Sequence, residues 1–513
     1  MGSEMCIRDR PNTRQLAVID IGSNSVRLVI YDVFGAHFTP VYNEKVLAGL
    51  GRDLRETGRL SEKGKQMCRE ALLRFSHIIE ARGLSAPLVG ATAAMRVAED
   101  APDFVASILA ETGFDISPIS GEDEARFAAM GLLSSNDRRE GLGADLGGAS
   151  LELMRIEPAL KRDGAVVQGV SLPLGPFDAI GGNLSDLDSA DYAARLADLD
   201  DALAKVPGYL DGEDILYLVG GAWRNLASVH QQRIGYPMRT LQGYRLPVLV
   251  AKNLAHWAWT EGINEVLNWS GMRKARAETL PYAGLMLERL IHRFSPKYIV
   301  ISMAGLREGL VWNTLPEPVK NRDALIDGCR DFARGFVQAE HFGPPLFRFL
   351  SPLLPVIPRA FGEEVDSRLL QAACHLAGLG KNLHPDHRAE LVFEDVLYAP
   401  VPGLSHEARA FLSLSLFRSY TAKRQAPVAD LIEDLLTEPQ RHAAACIGEA
   451  IRLGIVATGR TPSLLMDFEL EVKGEDLHLS CAPGYGAMMT KQVKYRLAKL
   501  AKLLDLIPIT SPS

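Results

Sequence analysis

The chain has 513 residues, 47% apolar and 23% charged, the balance of a soluble protein with room for about three folded cores. A formal net charge of −7 speaks against a broadly basic nucleic-acid surface, although an anion site needs only local donors and local cations. Cys6, Cys68, Cys329, Cys374, Cys446 and Cys481 stand singly without zinc spacing, and no apolar run reaches the roughly 18 residues of a membrane span, so a reducing, cytoplasmic setting is expected.

Residues 1–12 open with MGSEMCIRDR, which lacks the apolar centre of a signal peptide and reads as an expression or sequencing remnant outside the fold. The apolar run Leu16–Ile19 then leads into a glycine turn and a second apolar segment, Val26–Tyr31, the pattern of a hairpin. An extended segment (Phe38–Leu47) follows. Ser61–Arg82 is predicted helical, with Met67, Ala71, Leu72, Phe75, Ile78 and Ile79 at helical spacing. A strand (Leu88–Ala91), a helix (Pro102–Glu111), a strand (Phe114–Ile119) and a helix (Glu122–Leu133) complete a first α/β domain over 13–135. A second, over 136–315, holds strands at Ile215–Val219 and Tyr298–Ile301 between helical stretches.

The two domains share a motif. Asp20-Ile21-Gly22-Ser23-Asn24-Ser25-Val26-Arg27-Leu28-Val29 aligns with Asp145-Leu146-Gly147-Gly148-Ala149-Ser150-Leu151-Glu152-Leu153-Met154, 125 positions later, as D-(I/L)-G-(S/G)-x-S-(V/L)-x-L-(V/M). Glycine in such a turn permits positive φ and removes a Cβ that would hold a ligand off the backbone. Successive amides there can cradle a phosphate, with serine as a further donor and aspartate able to hold a hydrated Mg²⁺. One copy alone reads as an ordinary turn with an Asx hydrogen bond; two in the same strand-turn-strand setting point to a ligand between the halves.

Ser120-Gly121-Glu122-Asp123-Glu124-Ala125-Arg126 opens a helix with three acids. Complementing the helix dipole accounts for Glu122 and Asp123. Glu124 is either a third such residue or a general base beside bound phosphate. Arg96, after a strand, either grips phosphate in bidentate fashion or is merely solvated. The glycine turns at Gly220-Gly221 and Ser302–Gly309 are weak signals taken singly.

In order, IDIGSNSVRLVIYD, GATAAMR, ISGEDEARFAAMG, ADLGGASLEL, SLPLG, LVGGAWRNLA, AETLPYAGLML and ISMAGLREGL resemble the exopolyphosphatase/guanosine pentaphosphate phosphatase family, from about Leu16 to Leu310. The resemblance implies two duplicated actin-like (ribonuclease H-like) domains with mixed sheets. It also implies Mg²⁺-dependent hydrolysis of the terminal phosphoanhydride of inorganic polyphosphate, or of the 5′ γ-phosphate of pppGpp. By the same resemblance Glu124, in SGxxEAR, is the catalytic glutamate, and Asp145 and Glu152 are essential acids of the second motif. Asp20, Gly22, Ser23, Asn24 and Ser25 form the first phosphate loop. Gly147, Gly148, Ala149 and Ser150 form the second, with Gly220, Gly221 and Arg96 as further phosphate contacts. Mg²⁺ falls to Asp145, Glu152 and Asp20, and Glu124 deprotonates an in-line water. Ala149, Val26 and Ala222 depart from the family's usual glycine, aromatic and Thr/Ser, and none of these removes a charged group. A non-catalytic sensor of polyphosphate or (p)ppGpp is the alternative of a different class, and a homodimer is implied by resemblance only.

From about Pro316 the pattern turns helical through 316–513, with apolar stripes at Leu325–Ala339, Ser367–Leu376, Glu407–Ser419 and Gln440–Leu453. This region resembles a degenerate histidine–aspartate domain: His375 is followed by leucine where that fold has aspartate, so His375, His384, His387 and His406 read as structural or substrate-guiding. A hairpin (Leu465–Leu479) and a helix (Thr490–Leu504) end the chain. Lys491, Lys494, Lys499 and Lys502 on that helix, with Arg496, are either a solvated face or a track for a long polyanion.

Overall fold

Near-continuous apolar runs make the strands Arg14–Ile21 (β1) and Val26–Phe34 (β2), a hairpin about the first glycine turn, and His37–Val46 (β3) continues the antiparallel order. Leu88–Ala91 (β4) runs parallel to β1, giving the order β3-β2-β1-β4. A computed structural model describes residues 14–135, 140–157, 167–176, 189–267, 269, 277–334, 339–422 and 424–511. The supposed remnant at 1–12 lies outside the described residues. The chain divides into two compact units, Met1–Arg322 and Asp323–Ser513.

Within the first unit the sheet is repeated. Gly141–Leu146 (β5), Leu151–Ile156 (β6) and Gly169–Leu172 (β7) pair antiparallel, and Ile215–Val219 (β8) runs parallel to β5. Arg245–Pro247 (β9) and Tyr298–Ile301 (β10) extend that sheet to the order β7-β6-β5-β8-β10-β9. The duplication seen in the motif therefore holds for the order and direction of the first four strands of each sheet.

Each sheet has its own core. Helix α1 (Glu62–Ala81) places Cys68, Leu72, Phe75 and Ile79 on Ile19, Ile21 and Leu28 of the first sheet. Short helix α2 (Ala93–Val97) follows β4, and α3 (Ala101–Thr112) adds Phe104 and Ile108 to the same core. The second core gathers Leu153, Leu218, Trp223, Leu254, Tyr282 and Leu287. These come from β6, β8 and the helices α5 (Gly221–Arg233), α6 (Val248–Thr260) and α7 (Leu280–Phe294).

Helix α4 (Gly121–Ser135) carries the three acids from one half to the other. It buries Ala125, Ala128, Ala129 and Leu132 against Met154, Ile156, Tyr217 and Val219 of the second sheet. Helix α8 (Leu306–Asn313) lies on α4 at backbone contact: a Cβ on Gly309 would sit 1.7 Å from the Phe127 carbonyl oxygen. Gly309→Ala is accordingly expected to destabilise the protein by about 2–4 kcal/mol, read from denaturant unfolding, because both surfaces are backbone and neither can swing aside. An unchanged midpoint would show that the helices separate freely.

Phe114–Ile119 is not the expected strand. A single bridge joins Pro118 to Ala91, and Pro118 lacks the N–H that a ladder needs.

In the second unit α9 (Ala324–Ala333) ends earlier than the expected Leu325–Ala339; residues 335–338 lie outside the described residues, and α10 (Ala339–Leu350) is separate. Helices α11 (Glu363–Leu376), α12 (His406–Tyr420) and α13 (Glu438–Thr458) match the remaining stripes. The hairpin forms at Phe468–Lys473 (β11) and Asp476–Cys481 (β12), later than expected because Leu464–Asp467 coil into a 3-10 turn. After α14 (Lys491–Leu503), Ile507–Ser511 (β13) adds a parallel strand to β12. Lys491, Lys494 and Lys502 are exposed and Lys499 lies against the Tyr495 ring, whereas Arg496 turns inward to Glu449 (3.1 Å). His375 and His406 are buried and His384 and His387 exposed, and burial, then Arg330, pushes the His375 imidazole down to about 4. The five described cysteines are buried and are joined by no disulfide among the described residues. Among the described residues no helix is long and apolar enough to cross a membrane.

Candidate active site

Strand register builds the site before any loop is considered. Asp20 on β1 faces Arg27 on β2, which faces Lys45 on β3. In the second sheet Asp145 faces Glu152, which faces Ser171. Residues directly opposed across strands share a face, so each sheet presents a transverse row at the same place in its repeat. The first row is acid, base, base. The second is acid, acid, hydroxyl.

The two turns are built alike: Gly22 N–H donates to Ser25 O (3.0 Å), and Gly147 N–H to Ser150 O (2.9 Å). Neither glycine has positive φ, which corrects one of the two reasons expected for them. A Cβ on either would meet only atoms of its own turn, at 3.4–3.5 Å, leaving room for a ligand as the remaining reason. Around the first turn, Gly51 N–H donates to the Ser23 carbonyl and Gly49 N–H to that of Asn24; the Ser23 side chain is buried, Asn24 is exposed and Ser25 half-buried. Around the second, Gly148 is half-buried, Ala149 is buried and accepts from Gly175 N–H (3.0 Å). The Ser150 side chain is buried beside Glu152, whose charged form it favours by a hydrogen bond. Gly220, at φ 119°, passes so close to Leu146 that a Cβ would lie 2.5 Å from its carbonyl oxygen. Gly221 then starts α5.

The acidic side is strongly perturbed. Burial, then Glu124, pushes the Asp145 carboxyl up to about 7, with Arg224 opposing. Glu152 is pushed well above the usual carboxylate range by burial and then by Glu124 and Asp145, against hydrogen bonds from Ser150 and Ser171 (Oγ to Oε1, 2.8 Å). Glu124, 8% exposed, is raised by burial, while Arg96 favours its charged form. Asp123 does the work of a helix start, exchanging hydrogen bonds with Ser120 Oγ (2.9 and 3.0 Å) and leaving Glu124 free of that role. Arg96 Nη1 bonds Glu124 Oε2 (2.7 Å) and the Ile119 carbonyl (2.9 Å).

The basic side contains what the sequence reading did not assemble. Arg307, 3.5 Å from Asp20, and Arg224 join Arg27 and Lys45. Burial, then the like charges of Arg307 and Arg224, pushes Arg27 down to about 10, against the opposing pull of Asp20. Burial works against the charge of Arg307, but Glu308 and Asp20 outweigh it. Glu308 is fixed by Tyr31 (Oη to Oε1, 2.5 Å) and by the Gly305 amide (2.9 Å). Arg224 and Arg307 both lie in glycine-turn motifs noted above, four and two residues past Gly220 and Gly305; only the parallel placement of β8 and β10 brings them to Asp20. Lys491, Lys494, Lys499 and Lys502 belong to the other unit.

A magnesium ion was expected on Asp145, Glu152 and Asp20. Asp145 and Glu152 face one another across β5 and β6, each raised by burial and then by the charge of Glu124, and a hard cation relieves such repulsion, so the pair fits. Asp20 faces Arg307 and Arg27 and fits less well. Among the described residues no three such side chains form a complete cage; magnesium commonly takes one or two carboxylates, with water and substrate phosphate as its other donors.

The sequence profile of the Ppx/GppA phosphatase family matches residues 29–317, and that of the exopolyphosphatase C-terminal domain matches 354–506. Retrograde regulation protein 2 of Saccharomyces cerevisiae is 25% identical over 433 residues, covering 78% of this chain and 71% of that protein. Exopolyphosphatase 1 of Mycobacterium tuberculosis is 30% identical over 167 residues, which is 31% of this chain and 46% of that one. This chain thus spans less than half the length of that mycobacterial relative. Among solved structures, a Ppx/GppA family member from Aquifex aeolicus superposes with TM-score 0.51 at 23% identity, covering 61% of this chain and 100% of its own. An exopolyphosphatase from Cytophaga hutchinsonii does so with TM-score 0.53 at 20% identity, covering 59% and 99%. These likenesses show the fold, mixed α/β and actin-like, over about three fifths of the chain.

Proposed function

The chain belongs to the Ppx/GppA phosphatase family, and from that premise we propose that it is a cytoplasmic exopolyphosphatase releasing orthophosphate from the end of inorganic polyphosphate. The reading rests on one observation: a row of cations and a row of acids at equivalent places in two duplicated sheets, with Glu124 beside the acids. Arg27, Lys45, Arg224 and Arg307 suit the anionic tail of a phosphate chain, and the turn amides its end. Glu124 accepts a proton from water attacking the terminal phosphorus. Magnesium on Asp145 and Glu152, when bound, supplies charge neutralisation for the phosphoryl oxygens. Phosphoryl transfer needs mainly positioning and charge, and this arrangement offers both.

A regulatory reading has one specific support, the similarity over 433 residues to a yeast protein named for regulation. The acids Glu124, Asp145 and Glu152 weigh against it, since a pure sensor has no use for a carboxylate held against other carboxylates. Phosphate release is the test, from long-chain polyphosphate and from pppGpp, with ATP as control. Turnover of polyphosphate at least about tenfold faster than of pppGpp, abolished without Mg²⁺, is expected. Preference for pppGpp would reassign the substrate, and tight binding without release from either would favour the sensor.

A further inference from the structure

Arg96 is engaged in a way that its expected role does not require. Its Nη1 carries two hydrogens, and both have acceptors: the Ile119 carbonyl at 2.9 Å and Glu124 Oε2 at 2.7 Å. The first acceptor lies just before α4 begins, and the second lies in its first turn. One planar group thus fixes the carboxylate relative to the start of its own helix. Across the strands, Ile119 N–H donates to Ala91 O and Thr92 N–H to Ile21 O, tying the segment that carries Arg96 both to the approach to α4 and to β1.

The glutamate depends on this contact. Glu124 is buried, and the acids near it, Asp145, Glu152 and Asp20, repel its charge; Arg96 is the cation that meets it. A buried carboxylate stripped of its partner takes up a proton or turns away, and either removes a base from the reacting centre. Arg27, Arg224 and Arg307 gather about Asp20 instead, a set of cations available to phosphate without Arg96.

We propose that Arg96 is a positioning residue that holds the Glu124 carboxylate, through Nη1, in line for its water, and that it is not a principal phosphate contact. This rests on the reading of Glu124 as the base. The test is a cycle of Arg96→Gln and Glu124→Gln, with Arg96→Lys beside it and thermal melts to verify folding. Arg96→Gln is expected to lower kcat about 10- to 100-fold while moving KM less than about 3-fold, with partial recovery in Arg96→Lys. In the Glu124→Gln background the same change should cost less than about 2-fold. Equal losses in both backgrounds overturn the proposal. Calorimetric binding of tripolyphosphate to Glu124→Gln gives a second arm that needs no turnover. Adding Arg96→Gln there should change Kd less than about 3-fold, and weakening by about tenfold or more makes Arg96 a phosphate contact instead. Should Glu124→Gln by itself turn over normally, the reading of the base fails, while the binding arm still decides Arg96. If Arg96→Gln does not fold, Arg96→Lys in both backgrounds carries the same comparison.

Discussion

Glu124→Gln is expected to lower kcat by about 10²- to 10⁴-fold with little change in KM. Glutamine keeps the shape of the side chain and an oxygen for Arg96 Nη1, so the contact at 2.7 Å survives in neutral form. What is lost is the ability to accept a proton. The fold should tolerate the change well, because a neutral residue at this position also relieves the repulsion felt by Asp145 and Glu152. The pH profile gives a second reading. Burial raises the Glu124 carboxyl, so in the wild type kcat/KM should climb as pH rises through that shifted value and the base becomes ionised. In Glu124→Gln this part of the acid limb should flatten. Near-normal turnover in a folded variant would sink the assignment.

Much of the fold was legible because the duplicated turn and the apolar runs are local signals. A hairpin needs only Asp20 to Val29 to announce itself, and its copy needs only Asp145 to Met154. The rows were half legible. Arg27 and Glu152 stand at the same motif position with opposite charge, but Lys45 and Ser171 join them only through strand register, a pairing of residues far apart in sequence. Arg224 and Arg307 were visible only as arginines after ordinary glycine turns, since the parallel run of β10 on β8 and of β8 on β5 is a tertiary fact. Pro118 misled the strand reading because the β-rich residues about it outweighed one missing donor. Strand β13, with Pro508 inside five residues, shows no alternation and is held by β12 instead. The role of Arg96 followed from resemblance, which knows motif positions but not which acceptor a guanidinium meets.

Asp145→Asn should produce two opposite effects in one variant. Activity should fall about 10³-fold or more, since Asp145 faces Glu152 in the acidic row and is one of two carboxylates fit to hold magnesium. Stability should rise at neutral and alkaline pH. The sign follows from the proton balance. Folding raises the carboxyl from its ordinary 3.8 to about 7. Below the lower value the residue is protonated in both states and contributes nothing. As pH climbs through the unfolded value, the unfolded chain releases its proton while the folded chain keeps it, so wild-type stability falls until pH passes about 7 and then stays level. Asparagine is free of that loss. Melts in EDTA should therefore coincide at about pH 3 and separate by about pH 8, by about 1–2 kcal/mol in favour of Asp145→Asn, less than the full linkage value because Asp145 keeps some contact with water. Adding Mg²⁺ should raise the wild type and leave the variant nearly unmoved, closing the gap by mass action. A variant less stable than wild type at pH 8 without metal would mean that the charged form of Asp145 is favoured by the fold, and that the acidic row carries no strain for a cation to relieve.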